Sequence, residues 1–285
     1  MKIGVISRGS PDYLIDIVTD GLIRLFGRQG ISLDYNNRGG WGGQYIILLQ
    51  GFEGPEPYDI NESDVLIASV RSIDAATEWM KRTGKKNVAI VDGEDYPMLH
   101  DIHSSVKVYF KREYLKGVTH PSNVKPLPFG AIPEKLPDAM DITQEVFYRG
   151  HETHHFRGEI VKALESMGFK IPRERVEKAD YNKDLISSLV GVSVRGNGWD
   201  TYRYWETPYF GAALLSQRLD IVIPDDFKEG QEAVFFEGVD DFKRKLKAML
   251  DNPEMTFEIA KAGRKACMDR HLSVHRAQTV LEALA

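Results

Sequence analysis

The densest run of potential chemistry in the 285 residues is Arg195-Gly196-Asn197-Gly198-Trp199-Asp200-Thr201-Tyr202-Arg203-Tyr204-Trp205-Glu206. It follows the apolar strand pattern of residues 190–195. Glycines let a backbone approach a ligand closely, and a helix starting just beyond them can hold an anion on its free amides. Arg195 and Arg203 carry forked donors suited to a pyrophosphate, and Arg149, at the end of another strand pattern, is counted with them. Glu206 can accept hydrogen bonds from the two hydroxyls of a ribose. A second reading stays open: a glycine turn with packed aromatics and arginines that face water.

A second cluster, Asp92-Gly93-Glu94-Asp95, ends an apolar strand pattern. Its carboxylates can supply a general base or orient an acceptor hydroxyl, or they can cap the next segment. Lys111, Arg112 and Lys116 read as surface charges, with Lys111 placed after a strand end. His151-Glu152-Thr153-His154-His155 has His, Glu and His at zinc-hydrolase spacing. It sits at a strand-to-helix turn, however, and Thr153 reads as an N-cap, so no metal site is expected. The loop at 36–43 holds four glycines around Trp41 and bends toward an acceptor or is simply mobile. No dinucleotide fingerprint or phosphate loop follows the first strand.

The elements that must position these groups alternate. Strand patterns at 2–7, 31–33, 64–68, 86–92, 106–110 and 124–127 are interleaved with helix patterns at 12–26 and 73–80. Short apolar strands between helices indicate parallel sheets with both faces covered. Pro126, Pro128, Pro133 and Pro137 then mark a domain edge. The alternation resumes with strands at 145–148, 190–195 and 220–224 and a helix over 153–167, and ends in helices at 240–250, 253–269 and 274–284. Asn252-Pro253 is a helix start, with Asn as N-cap and Pro in the first turn. The expected class is α/β, with a first domain over 1–138, a second over 139–270, and a last helix over 271–285.

Composition is ordinary for a globular protein, with 42% hydrophobic and 28% charged residues. A net charge of -5 argues against nucleic acid as a partner. Apolar runs are too short to span a bilayer, and no secretory core follows Met1. One cysteine, Cys267, excludes an internal disulfide framework. The expected location is the cytoplasm.

Residues 192–211 and the tail to Arg276 resemble the nucleotide-sugar domain of retaining, two-Rossmann-domain (GT-B type) glycosyltransferases, closest to the CgeB-like, spore-maturation group. The resemblance rests on Arg195-Gly196, Gly198-Trp199-Asp200-Thr201, Tyr202-Arg203-Tyr204-Trp205-Glu206 and Gly211. It continues through residues 228–236, an Asp-Asp-Phe helix, Asp251-Asn252-Pro253-Glu254, Ala260-Lys261-Ala262-Gly263-Arg264, His271 and Arg276.

The resemblance implies two Rossmann-like domains facing across a cleft. Glu206 then matches the glutamate that holds the ribose. The family's first glutamate falls on Gly198, a departure that leaves the sugar contact to Asp200 or a main-chain amide. The implied donor set is Arg149, Arg195, Gly196, Gly198, Tyr202, Arg203 and Glu206; the candidate catalytic residues are Asp92, Glu94, Asp95 and Asp200. The implied activity is sugar transfer from a nucleoside diphosphate sugar, with no tightly bound cofactor and with an acceptor that the sequence does not identify. Another nucleotide-sugar enzyme, such as an epimerase or phosphorylase, and a non-catalytic nucleotide-sugar-binding protein are the alternatives. The implied last helix packs back on the first domain.

Overall fold

The computed structural model describes residues 1–8, 12–35, 56–136, 141–150, 153–174 and 176–285. The loop at 36–43, His151 and Glu152 lie outside the described residues. The chain divides into two compact units. The first comprises Met1–Ile132, Val222–Pro224 and Leu272–Ala285; the second comprises Pro133–Ile221 and Asp225–His271.

In the first unit the strands β1 (Ile3–Ser7), β2 (Ile31–Tyr35), β3 (Val65–Ser69), β4 (Val88–Asp92), β5 (Val108–Lys111) and β6 (Val124–Pro126) alternate with α1 (Tyr13–Phe26) and α2 (Ile73–Thr83). They form one parallel sheet in the order β2-β1-β3-β4-β5-β6. Every residue of β1, β3 and β4 is buried, as expected of strands covered on both faces. Asp12 caps α1, accepting from the amides of Leu14 and Ile15.

The second unit holds β7 (Gln144–Phe147), α3 (His155–Ser166), α4 (Lys178–Ile186), β8 (Ser188–Ser193), α5 (Tyr202–Phe210), β9 (Ala213–Gln217), β10 (Val234–Phe236), α6 (Gly238–Asp251) and α7 (Pro253–Arg270). Its strands also run parallel, in the order β10-β9-β8-β7. Phe236, Phe242, Leu246 and Ile259 pack with Ile160 and Val192 in its core. Asn252 caps α7, accepting from the amide of Met255, with Pro253 in the first turn.

The last helix, α8 (Ser273–Leu284), belongs to the first unit and lies against α1. The approach is close enough that a Cβ on Gly21 would stand 2.1 Å from the Ser273 carbonyl oxygen. Ser273 Oγ donates to Asp20 at 2.6 Å, and Arg276 Nε donates to the carbonyls of Pro128 and Phe129.

Two local expectations change. Residues 220–224 are not a strand: Val222–Pro224 joins the first unit, where the Val222 amide donates to the Tyr114 carbonyl. The strand of that region is β9, directly after the left-handed Gly211 that ends α5. The cap of α3 is His154 rather than Thr153, because its Nδ1 accepts from the Phe156 amide at 3.2 Å.

Candidate nucleotide-sugar site

The C-terminal edge of a parallel sheet is where chain turns can present amides and side chains to a ligand. In the second unit that edge carries the turns after β7 and β8. After β8, the Gly196 amide donates to the Gly198 carbonyl at 2.9 Å and closes a tight turn. Arg157, in the first turn of α3, holds that turn from below: Nε donates to the Arg195 carbonyl at 2.8 Å and Nη2 to that of Val194 at 3.3 Å. The Arg195 guanidinium stacks 3.9 Å over the Trp199 ring and donates to the Asn197 carbonyl.

Arg203, on the first turn of α5, reaches back to the turn after β7. Its Nη1 donates to the Arg149 carbonyl at 2.6 Å, and the guanidinium lies 5.5 Å from the Tyr148 ring centre. The approach is close: a Cβ on Gly150 would stand 3.1 Å from Nη1, so the guanidinium would have to give by a few tenths of an ångström. Arg203 is 8% exposed, yet its Nε and Nη2 have no hydrogen-bond partner among the described residues. Thr201, the residue before α5, makes no side-chain cap; its carbonyl accepts from the Tyr204 amide at 3.1 Å. A buried charge with unfilled donors is costly unless something anionic completes it. The neighbourhood is electropositive despite the chain's net charge: burial, then Arg195, His155 and Arg157, hold the His154 imidazole below its usual range.

The other members of the expected donor set are placed differently. Arg149 turns its guanidinium toward α4, donating to Asp184 at 3.0 and 2.6 Å, and offers only its carbonyl to Arg203. Asp200 is 3% exposed and accepts from Trp205 Nε1 at 2.7 Å, tying down the helix rather than facing a sugar. Tyr202 opens α5. Tyr204 and Trp205 pack within the unit, against Phe227. Glu206 accepts from Lys178 Nζ at 2.5 Å and from the Tyr181 hydroxyl at 2.9 Å, so a ribose would have to exchange with one of these partners. Burial acts to lower Lys178, but Glu206 and Glu134 outweigh it and hold the ammonium above its usual range.

The acidic cluster of the first unit is neutralised from within. Asp92 is fully buried, accepting from Lys111 Nζ at 2.7 Å, from Tyr109, and from the Glu94 amide. Glu94 meets His100 at 2.8 Å and Arg71 at 3.4 Å; burial acts to raise it, and these partners hold it below the usual carboxylate range. Asp95 pairs with Arg112. Lys111 and Arg112 are therefore not surface charges, at 0% and 3% exposed, whereas Lys116 is exposed. The reason is register: Asp92 of β4 stands directly beside Lys111 of β5, so each buries the other's charge.

Arg157, Lys178 and Tyr181 are the residues that sequence reasoning missed. Arg157 had a usable signal, a cation in the first turn of a helix that follows a strand end. Among the described residues no cluster of three or more His, Cys, Asp or Glu could hold a metal ion, and no helix is long and apolar enough to cross a membrane.

Residues 157–282 match the family model described as glycosyl transferase-like. No protein of curated function matches the chain by sequence. Among solved structures, a glycosyltransferase from Rickettsia africae superposes with a TM-score of 0.66 at 8% identity, covering 99% of this chain and 97% of its own. HepE of Anabaena in complex with UDP-glucose gives 0.62 at 10% identity, covering 100% and 99%. A putative UDP-N-acetylglucosamine 2-epimerase from Listeria monocytogenes gives 0.53 at 12% identity, covering 99% and 95%. Residues 157–282, most of the second unit and the tail, thus match a glycosyl transferase-like family model, and the chain as a whole has the two-domain, Rossmann-like architecture of the GT-B type.

Proposed function

We propose that this protein transfers a glycosyl group from a nucleoside diphosphate sugar to an acceptor, with retention, in the cytoplasm. The observation that carries the reading is Arg203: a buried guanidinium with two donors unfilled among the described residues, at a helix start without a side-chain cap on the C-terminal edge of a parallel sheet. The family match across that segment and the UDP-glucose carried by HepE support the same donor class. A diphosphate would accept from Arg203 and from the first amides of α5, while Arg157 and Gly196 hold the adjoining turn in shape. These donors offset the charge that grows on the diphosphate as its bond to the sugar breaks. The acceptor oxygen forms the new bond, and its proton passes to a leaving phosphate oxygen, so no enzymic nucleophile is needed. A ribose enters at Glu206 by displacing Lys178 or Tyr181.

Calorimetry with uridine, guanosine and thymidine diphosphates tests the donor site, and transfer from the corresponding sugar nucleotides to an acceptor panel tests the reaction. Binding of at least one diphosphate is expected, and failure of all of them to bind the folded protein would overturn the reading. Release of an epimerised free sugar nucleotide, without transfer, would assign the site to the epimerase class.

A further inference from the structure

The opposite edge of the second unit's sheet carries a separate feature. Ile142 precedes β7, Ile186 precedes β8 and Gly211 precedes β9, and because these strands are parallel all three lie at the sheet's N-terminal edge. There, with α7, they line a cavity of about 550 Å³. Its walls are mostly apolar, and large side chains stand unburied around it: Phe257 is 54% exposed, and Met268 and Ile142 are 42% exposed. Single exposed apolar residues are normal, but a group of them around one concavity marks an interaction surface.

The cavity's charged lining is all of one sign. Lys261, Arg264 and Lys265 face it and no carboxylate lines it among the described residues. Among the described residues Lys261 and Arg264 have no ion pair, and Arg264 Nε is buried without a hydrogen-bond partner. Only Lys265 is paired, to Asp269, and that pair is exposed. The other acids of α7, Glu254 and Glu258, are not in the lining. Phe257, Lys261, Arg264, Lys265 and Met268 recur at helical spacing, so one face of α7 presents apolar ends flanking a cationic centre.

We infer that this face of α7 docks on membranes bearing anionic phospholipids, with an acyl chain end in the Ile142–Ile186 cavity and headgroup phosphates on Lys261, Arg264 and Lys265. Charge complementarity selects the occupant. The chain carries a net charge of -5, so attraction to an anionic surface must come from a local patch, and this one has two cations that no described residue neutralises. Long basic side chains keep their heads at phosphate level while apolar neighbours enter the acyl boundary. The docked face lies at the sheet edge opposite Arg203, so docking leaves the candidate nucleotide site of that unit free.

The test is co-sedimentation of the intact protein with vesicles of phosphatidylcholine alone and of phosphatidylcholine mixed with phosphatidylglycerol, at low and high salt. Binding is expected only to the anionic vesicles and should weaken with salt. Each cation removed should weaken partitioning about fivefold, so Lys261→Ala/Arg264→Ala should lose roughly 25-fold. Phe257→Ser/Met268→Ser should also weaken binding, with the salt dependence retained. Lys247→Ala, on α6, serves as the control and should bind like the wild type. All these side chains are exposed or half-buried, and circular dichroism verifies folding. Wild type that binds neither vesicle overturns the inference. So does binding that is indifferent to anionic lipid, binding that Lys247→Ala weakens as much as the α7 variants do, or capture of an acidic peptide without vesicle binding.

Discussion

The turns at the C-terminal edges of the two sheets treat charge in opposite ways. In the first unit, Asp92, Glu94 and Asp95 each meet a basic partner, and Asp92 with Lys111 is sealed from solvent. Asp16 closes its charge differently: burial, with Asp12 nearby, raises its pKa to about 8, so it keeps its proton at neutral pH. In the second unit Arg203 is also buried but, among the described residues, is left with donors to spare. The same architecture therefore supports a closed electrostatic edge and one that an anion can complete. A cluster of acids at a strand end is no evidence of an open site until its partners are known.

The largest effect should come from opening the closed edge. Lys111→Ala leaves Asp92 buried without its cation and is expected to destabilise the protein by about 3–5 kcal/mol, read by chemical denaturation. Replacing both residues by apolar ones should recover most of that loss. A Lys111→Ala cost below about 1 kcal/mol would show that the pair is not what holds the edge shut.

Asp16 gives a pH-dependent counterpart. Its folded pKa of about 8 lies above the value near 4 of an unfolded aspartate. Between those values the folded chain keeps a proton that the unfolded chain has released. The group's contribution to stability is therefore complete below about pH 4 and is lost as pH rises through about 8, by a few kcal/mol at most. Asp16→Asn should remove that slope, so its melting temperature relative to wild type should rise from pH 5 to pH 8. A difference independent of pH would mean that Asp16 is ionised in the fold.

On the open edge, Arg203→Ala should weaken nucleoside diphosphate binding by about 1.5–3 kcal/mol, the worth of a charge-assisted contact. Unchanged affinity in calorimetry would move the anion elsewhere. The smallest effect is expected at Cys267, which is fully buried and whose Sγ contacts the Trp205 carbonyl at 3.7 Å. Cys267→Ser keeps a donor for that carbonyl and should cost about 1 kcal/mol with near-normal transfer; a loss of transfer beyond about 100-fold in a folded variant would give the thiol a chemical role.

Much of this contrast is hidden in the sequence, for physical reasons. The strands at 2–7, 64–68 and 86–92 are legible because uninterrupted apolar runs between helix patterns suit a sheet covered on both faces. Ala213–Gln217 is not: Ala, Leu and Gln favour helix, and only the packing of β8 on one side and β10 on the other makes it a strand. The run at 220–224 has strand-like residues, but its pairing goes no further than a single bridge, with the Val222 amide on the Tyr114 carbonyl. Within the candidate site, Arg203 is legible from its spacing after a glycine turn. The neutralisation of Asp92 by Lys111 is not, because it depends on the register of two strands, and a one-residue slip would separate the charges. Glu206 carries the strongest sequence signal for ribose, and its engagement by Lys178 and Tyr181 could not be read from residues so far upstream.

The place of α8 has a consequence for how the molecule is made. The second unit is, but for Val222–Pro224, a single stretch of chain, whereas the first lacks α8 until the whole second unit has been synthesised. The usual order, in which the N-terminal domain matures first during translation, is reversed at the last step. A nascent first unit must wait with the Asp20–Gly21 face of α1 uncovered, its partner Ser273 still to come. Joining ends so distant in sequence is an intrinsically slow event. The completed second unit is therefore available to act as a folded spacer that limits where the late helix can search.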